Sequence, residues 1–324
     1  MKTVRMSRGR TRAVFVALAG VLTLALAGCG GSSDGSSGEG VTIAHAYGET
    51  VIEGTPTKIV ALGNQWLDTV QSFGIVPAGY IDNVATFARK SPAWEPESLQ
   101  QAEALNTGGD IAEAVAAVEP DLILADPFIA DRGMYEKLSK IAPTLPALSD
   151  KAGAPWTDQV TALGKALGRE GDADKIIADV WAKVDAVGTA NPGLKGKTFL
   201  STWLAGPTQL MVLNDPADGS GALFNRLGMT IPQHIQELPG SSGRVSLSPE
   251  RVGELTSDLL IAGYSVNQDA AYRQLPGYAD LPAVRKNSVV FLDNADIGAI
   301  NQPTPLSLPY IVDKLGPVLA NAAK

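Results

Sequence analysis

Between Asp172 and Val187 the apolar residues fall at Ala173, Ile176, Ile177, Val180, Trp181, Val184 and Val187. This is the i, i+3, i+4, i+7 spacing of one helix face, held for about four turns. Asn191-Pro192-Gly193 stops it. On either side the pattern shortens. Ile59-Val60-Ala61-Leu62 predicts a strand, Gly63-Asn64-Gln65-Trp66 a polar loop, and Leu67 to Phe73 a helix that Gly74 ends. Val76 to Tyr80 opens the next strand, and Ile111, Val115 and Val118 recur at helical spacing before a strand from Leu122 to Ala125. The second half resumes with strands at Thr198 to Trp203 and Gln209 to Leu213, a helix around Ala222 to Leu227, a strand at Ser288 to Leu292 and a closing helix from Leu306 to Leu319. Short strands alternating with helices imply parallel βαβ units. The expected fold is α/β: two lobes with mainly parallel sheets, bridged by one long helix that acts as a stiff connector and restricts hinge motion.

A repeated motif supports two lobes. Glu-x₇-Asp-Leu followed by two aliphatic residues runs from Glu113 to Leu124 and again from Glu250 to Ile261, 137 positions apart. Each copy predicts a helical stretch near the Glu and a buried strand after the Asp. Two such units place a matched pair of acidic points on the surface.

The N-terminus reads as an export signal. Lys2, Arg5, Arg8, Arg10 and Arg12 precede an apolar run, Ala13 to Ala27, too short to remain as a membrane span. Leu26-Ala27-Gly28-Cys29 resembles the lipobox of bacterial lipoproteins, which implies cleavage before Cys29 and diacylglycerol on its thiol. Gly30 to Gly40 is a Gly/Ser-rich tether. The expected organisation is a signal peptide over 1–28, tether and start of the globule over 29–49, an N-terminal lobe over 50–169, a connecting helix over 170–191 and a C-terminal lobe over 192–324. Cys29 is the sole cysteine, so the mature chain carries no disulfide. Losing the signal removes five positive charges and no negative one, taking the net charge from −8 to −13. So acidic a surface disfavours nucleic acid.

Pro56-Thr57-Lys58-Ile59-Val60-Ala61-Leu62, Phe73-Gly74-Ile75-Val76-Pro77-Ala78-Gly79, Glu119-Pro120-Asp121-Leu122-Ile123-Leu124 and Ile141-Ala142-Pro143-Thr144 follow one another in the first half. Leu227-Gly228-Met229, Ser248-Pro249-Glu250 and Leu281-Pro282-Ala283-Val284 follow in the second. This series resembles the Fe/B12-type periplasmic binding proteins from about residue 50 to the C-terminus. The resemblance implies a class III periplasmic-binding-protein-like fold and a monomeric solute-binding lipoprotein on the outer face of the bacterial cytoplasmic membrane. It further implies delivery of a ferric siderophore to an ABC permease dimer with its ATPase; haem or cobalamin is the alternative cargo. Glu113 and Glu250 match the family's two permease-docking glutamates. Locally, Asp110-x-x-Glu113 also fits a capping box and Ser248-Pro249-Glu250 a helix start.

The ligand is expected in a cleft, contacted by loops at strand ends. Trp66, Arg89, Trp203, Arg244 and Tyr264 are the foremost candidates; Gln65, Tyr80, Trp94, Phe128 and Arg132 lie in the same loops. Aromatic faces supply contact area and guanidinium forks bond chelator oxygens. No cofactor is expected. The two histidines, His45 and His234, are too few for a metal receptor. Gly196-Lys197-Thr198 lacks the first glycine of a phosphate loop and precedes a strand where a helix would be required. No Gly-x-Ser-x-Gly, His-Glu-x-x-His or Cys-x-x-Cys occurs. The chain is therefore not expected to be an enzyme; an exported hydrolase is the rival of a different class.

Overall fold

Each half of the chain folds around its own five-stranded sheet. A computed structural model describes residues 40–149, 155–206 and 209–324; the expected signal, Cys29 and most of the tether lie outside them. In the first lobe, β3 (Ile59–Leu62), β4 (Gly79–Ile81), β5 (Glu103–Ala104), β6 (Leu122–Ala125) and β7 (Thr144–Leu145) are parallel, in the order β5-β4-β3-β6-β7. The central strands β3 and β6 are buried on both faces, which is why they read as unbroken aliphatic runs. A hairpin of β1 (Val41–His45) and β2 (Gly48–Ile52) joins the far edge, where Thr50 Oγ1 donates to Thr144 O at 2.8 Å and Ala46 N to Ala147 O at 2.9 Å. The helices are α1 (Asn64–Ser72), α2 (Asn83–Ala88), α3 (Ile111–Val118), α4 (Arg132–Leu138) and α5 (Trp156–Leu167).

The second sheet has the order β10-β9-β8-β11-β12, with β8 (Phe199–Gly206), β11 (Leu259–Tyr264) and β12 (Val289–Leu292) parallel, β9 (Gln209–Leu213) antiparallel to β8, and β10 (Arg244–Leu247) antiparallel to β9. Its core is continuous with that around β3 and α1. Between the sheets runs α6 (Glu170–Ala190). The rest is α7 (Ala222–Arg226), α8 (Gln233–Gln236), α9 (Asp269–Arg273), α10 (Pro282–Arg285), α11 (Asn294–Asn301) and α12 (Ser307–Ala322). Only Ala173, Val180 and Val184 of the periodic face of α6 are buried; Ile176, Ile177, Trp181 and Val187 are half-buried. Trp181 is covered from outside by the Arg226 guanidinium, 5.1 Å from its ring and bonded to Asp185.

The polar loop expected over Asn64 to Trp66 is instead the first turn of α1. No local side chain caps this helix. A carboxylate from the neighbouring strand's end does so: Asp126 Oδ2 accepts the Gln65 amide at 3.0 Å. The close approach requires Gly63, at φ 109°, where a Cβ would stand 2.3 Å from Asp126 Oδ2. A cap supplied from 61 residues away leaves no signature at the helix start.

The aspartates of the repeated motif have matched structural jobs. Asp121 accepts the amides of Thr57 and Lys58 and the Thr57 hydroxyl, pinning the start of β3. Asp258 accepts the Thr198 amide and hydroxyl beside Lys286, pinning the start of β8. The Lys197-Thr198 pair is thus a strand start. Burial opposes the Asp258 charge, but Lys286 and Thr198 outweigh it and hold the carboxyl at about 2.

The lobes meet along a buried polar seam. Asn83 Nδ2 donates to Gln302 Oε1 at 3.2 Å, Gln65 Nε2 to Pro303 O at 3.5 Å and Thr304 Oγ1 to Asp68 Oδ2 at 2.5 Å. Trp94 Nε1 also donates to Asp68 Oδ2 at 2.9 Å, with its ring 5.4 Å from that of Tyr310. Helix α2 lies on α11, with Gly298 leaving space beside Val84. Lys90 pairs with Asp293 at 2.6 Å across the outer end of the seam.

Burial pushes the Asp68 carboxyl up to about 8, against the two hydrogen bonds it accepts. Because this folded-state value lies above the unfolded one, the folded state holds the extra proton between the ordinary carboxylate range and about 8, and stability falls as pH rises through that window. Asp126, raised by burial to about 7, adds a fall of the same sign that ends sooner. His45, lowered by burial, acts oppositely and only below 6.5. Urea denaturation should therefore show stability declining from about pH 6.5 to about pH 8 and levelling above it. Asp68→Asn keeps an acceptor for Thr304 and Trp94 and should remove most of that decline; an unchanged pH profile in the variant would contradict this origin.

Candidate functional site

In both lobes the loops that matter leave the C-terminal ends of parallel strands. Helix α2 starts two residues after β4 and α11 two residues after β12. These helices pack on each other, so the seam brings the C-terminal ends of the two sheets to a common cleft. Six large apolar residues are exposed among the described residues, and four belong to this region. Phe87 is 72% exposed at the end of α2, Phe128 69% in the loop after β6, Val266 61% in the loop after β11 and Trp203 38% on β8. Trp203 stands in register with Gly263, next to Tyr264 at the end of β11. Exposing large apolar groups costs solvation, and their gathering at one end of two sheets marks a contact surface. A groove of about 350 Å³ between Ser72, Val180 and Pro309 lies by the far end of α1, away from these loops.

Among the expected ligand residues, Arg89, Trp203 and Tyr264 lie at this cleft. Arg89 caps α2 in the left-handed conformation, φ 56°, beside Lys90 of the interlobe ion pair. Tyr264 is half-buried, its ring 6.4 Å from Phe291. Burial, then the charges of Asp293, Asp269 and Asp296, push its phenol up. Asp293 itself, despite burial, is held below the usual carboxylate range by Lys90 and the amides at the start of α11. Asp296 is occupied by Lys314 and the Tyr310 hydroxyl.

Trp66 and Arg244 are corrected. Trp66 is 0% exposed, a core residue of α1, because the Asp126 cap extends the helix over it and turns its ring inward. Arg244 begins β10, paired with Leu213 at the end of β9 remote from the cleft. Its guanidinium is consumed by Asp218 at 2.9 Å and Ser220 Oγ at 2.9 Å. Gln65 and Trp94 are drawn into the seam.

Sequence reasoning missed a row of packed rings on the first lobe. His45 lies 5.3 Å from Tyr135, Tyr135 5.2 Å from Tyr47, and the Arg132 guanidinium 4.8 Å above Tyr47. The hairpin turn carrying Tyr47 is held past the end of β7 by the Ala46 to Ala147 bond, beside the start of α4. It also missed Arg273, stacked 3.5 Å above Phe291 in the second lobe. Only the fold brings these pairs together; none is close in sequence.

Glu113 and Glu250 are exposed. Glu113 lies in the first turn of α3, where Asp110 accepts the Ala112 and Glu113 amides as the cap. Glu250 opens a 3₁₀ turn, Pro249–Glu254, after β10, and Ser248 Oγ donates to it at 3.2 Å. Each follows a strand end on the cleft side of its sheet: β5 parallels β4, and Leu247 pairs with Leu210, itself opposite Leu204.

A family model described as periplasmic binding protein matches residues 59–295. The Fe(3+)-citrate-binding protein YfmC of Bacillus subtilis is 26% identical over 294 residues, covering 86% of this chain and 89% of the relative. The iron(3+)-hydroxamate-binding protein FhuD of the same organism is 26% identical over 293 residues, covering 87% and 89%. A crystal structure of a periplasmic solute binding protein from Mycobacterium smegmatis shares 28% identity, covers 88% of this chain and 99% of its own, and superposes with a TM-score of 0.74.

The chain's tryptophans differ sharply in access. Acrylamide quenching should lose its most accessible component in Trp203→Phe and be little changed in Trp66→Phe; the reverse would contradict the placement of the two rings.

Proposed function

Since the chain belongs to the periplasmic binding protein family, we propose that it is an extracytoplasmic receptor that captures a ferric siderophore between its lobes and hands it to an ABC importer. The observation that carries this reading is the opposed pair of strand-end loop sets, with Phe87, Phe128, Val266 and Trp203 exposed around one cleft. Relatives named for ferric citrate and ferric hydroxamate binding support an iron chelate as cargo. Such a ligand encloses its metal, so the protein needs contact area and donors for chelator oxygens and no metal ligands of its own. Among the described residues no group of three or more His, Cys, Asp and Glu is placed to hold a metal.

Glu113 and Glu250 are the docking points for the two permease subunits. Exposed carboxylates, one per lobe on the cleft side, steer the complex and set its register more than they add affinity. Cys29 carries the lipid, with the Gly/Ser segment as tether; among the described residues no helix is long and apolar enough to cross a membrane. The receptor does no chemistry on its cargo, and the partner ATPase supplies the energy. Titration of the full chain with ferric chelates should give stoichiometric binding without turnover, whereas release of altered chelator would favour a hydrolase.

Charge reversal at both sites, Glu113→Lys with Glu250→Lys, should abolish uptake while ferric-chelate affinity stays within about twofold. Uptake at the parental rate, or loss of affinity, would overturn the docking assignment.

A further inference from the structure

The eight arginines among the described residues divide by position. Arg169, Arg226, Arg244, Arg251 and Arg285 each pair with a carboxylate, on Asp172, Asp185, Asp218, Glu254 and Asp280. Arg89, Arg132 and Arg273 do not. These three follow β4, β6 and β11, so all lie beyond C-terminal ends of parallel strands, around the cleft. In a chain with net charge −8 these three guanidiniums are exposed and free of carboxylate partners, so they remain available to an anionic ligand.

Two of them are also held without using up their donors. Arg132 stacks on Tyr47 at 4.8 Å and Arg273 on Phe291 at 3.5 Å; a ring face fixes the guanidinium plane while its N–H edges stay free. Arg89 sits at φ 56°, a conformation that favours glycine, and its neighbour Lys90 is the residue tied to Asp293. Nearby acids are engaged or turned elsewhere. Asp131 accepts the Met134 amide as the cap of α4, Asp293 and Asp296 hold Lys90 and Lys314, and Asp269 makes no bond to Arg273. Phe87, Phe128 and Val266 precede the three arginines in the same strand-end segments as exposed apolar surface.

We infer that the cargo is an anionic ferric chelate with planar aromatic or carboxylate donors, a catecholate or carboxylate type, and that Arg89, Arg132 and Arg273 select it over neutral trihydroxamate complexes. This rests on the receptor reading above. The guanidinium edges bond the ligand's charged oxygens and the apolar residues cover its rims. A neutral complex would cover three guanidiniums without meeting their charge.

Tryptophan-fluorescence titration of the full chain with ferric enterobactin, a trianionic tris-catecholate, ferric citrate and ferrichrome, a neutral trihydroxamate, tests it. At least one anionic complex should bind about tenfold or more tightly than ferrichrome, and its affinity should fall as salt is raised. Arg89→Gln, Arg132→Gln and Arg273→Gln should each weaken the anionic ligand about tenfold, narrowing its lead over ferrichrome. Arg285→Gln should leave both unchanged, and unaltered thermal unfolding separates lost contact from lost fold. Ferrichrome binding as tightly as the anions, or three substitutions without effect, would overturn the selectivity and leave the receptor standing. Binding of no ferric complex would overturn the receptor reading as well.

Discussion

The working parts depend on a buried contact between the lobes. Thr304 on the link between α11 and α12 bonds Asp68 inside α1, and α2 lies against α11 a few residues away. Asp68 can be buried because it accepts two hydrogen bonds and stays protonated over the neutral range, so the seam holds a neutral acid in place of an unpaired charge. Asn83, Gln302 and Gln65 extend the same polar line. Fixing α2 against α11 also fixes the ends of β4 and β12, from which those helices start. The cleft is thus built by the seam before any ligand arrives. Helix α6 spans the same gap from behind as a continuous helix of 21 residues.

Electrostatics then divides the molecule. Away from the cleft, arginines are spent on carboxylates at the surface, where each pair contributes little to stability. At the cleft, aromatic rings orient guanidiniums and leave them available. The same division is seen in the repeated motif, whose aspartates tie strand starts at one end while its glutamates are exposed at the other. One stretch of chain thereby secures the sheet and exposes a carboxylate at the opposite end.

Much of this was legible in the residues. The aliphatic runs of β3, β6 and β11 were plain because both faces are buried, and the connecting helix because its apolar stripe recurs over so many turns. Trp203 and Tyr264 could be placed near strand ends by order alone, whereas Arg89 lies at the far end of α2. Trp66 could not, because the cap that draws it into α1 comes from Asp126. Arg244 misled because it opens β10 and does not follow it: with β9 antiparallel to both β8 and β10, β10 runs in the direction of β8, and its first residue lies at the end opposite the cleft. Tyr47 with Arg132, and Phe291 with Arg273, are stacked pairs whose members belong to different elements, so no local pattern announces them.

Hydrogen exchange along the seam tests the account most directly, measured on the full chain with and without a bound ferric chelate. If the lobes are locked together in advance, amides over α1, α2 and the stretch from α11 through Thr304 exchange slowly in both states, and ligand slows only the loops around Phe128 and Val266. Rapid exchange along the seam in the free protein, with protection acquired only on binding, would contradict it.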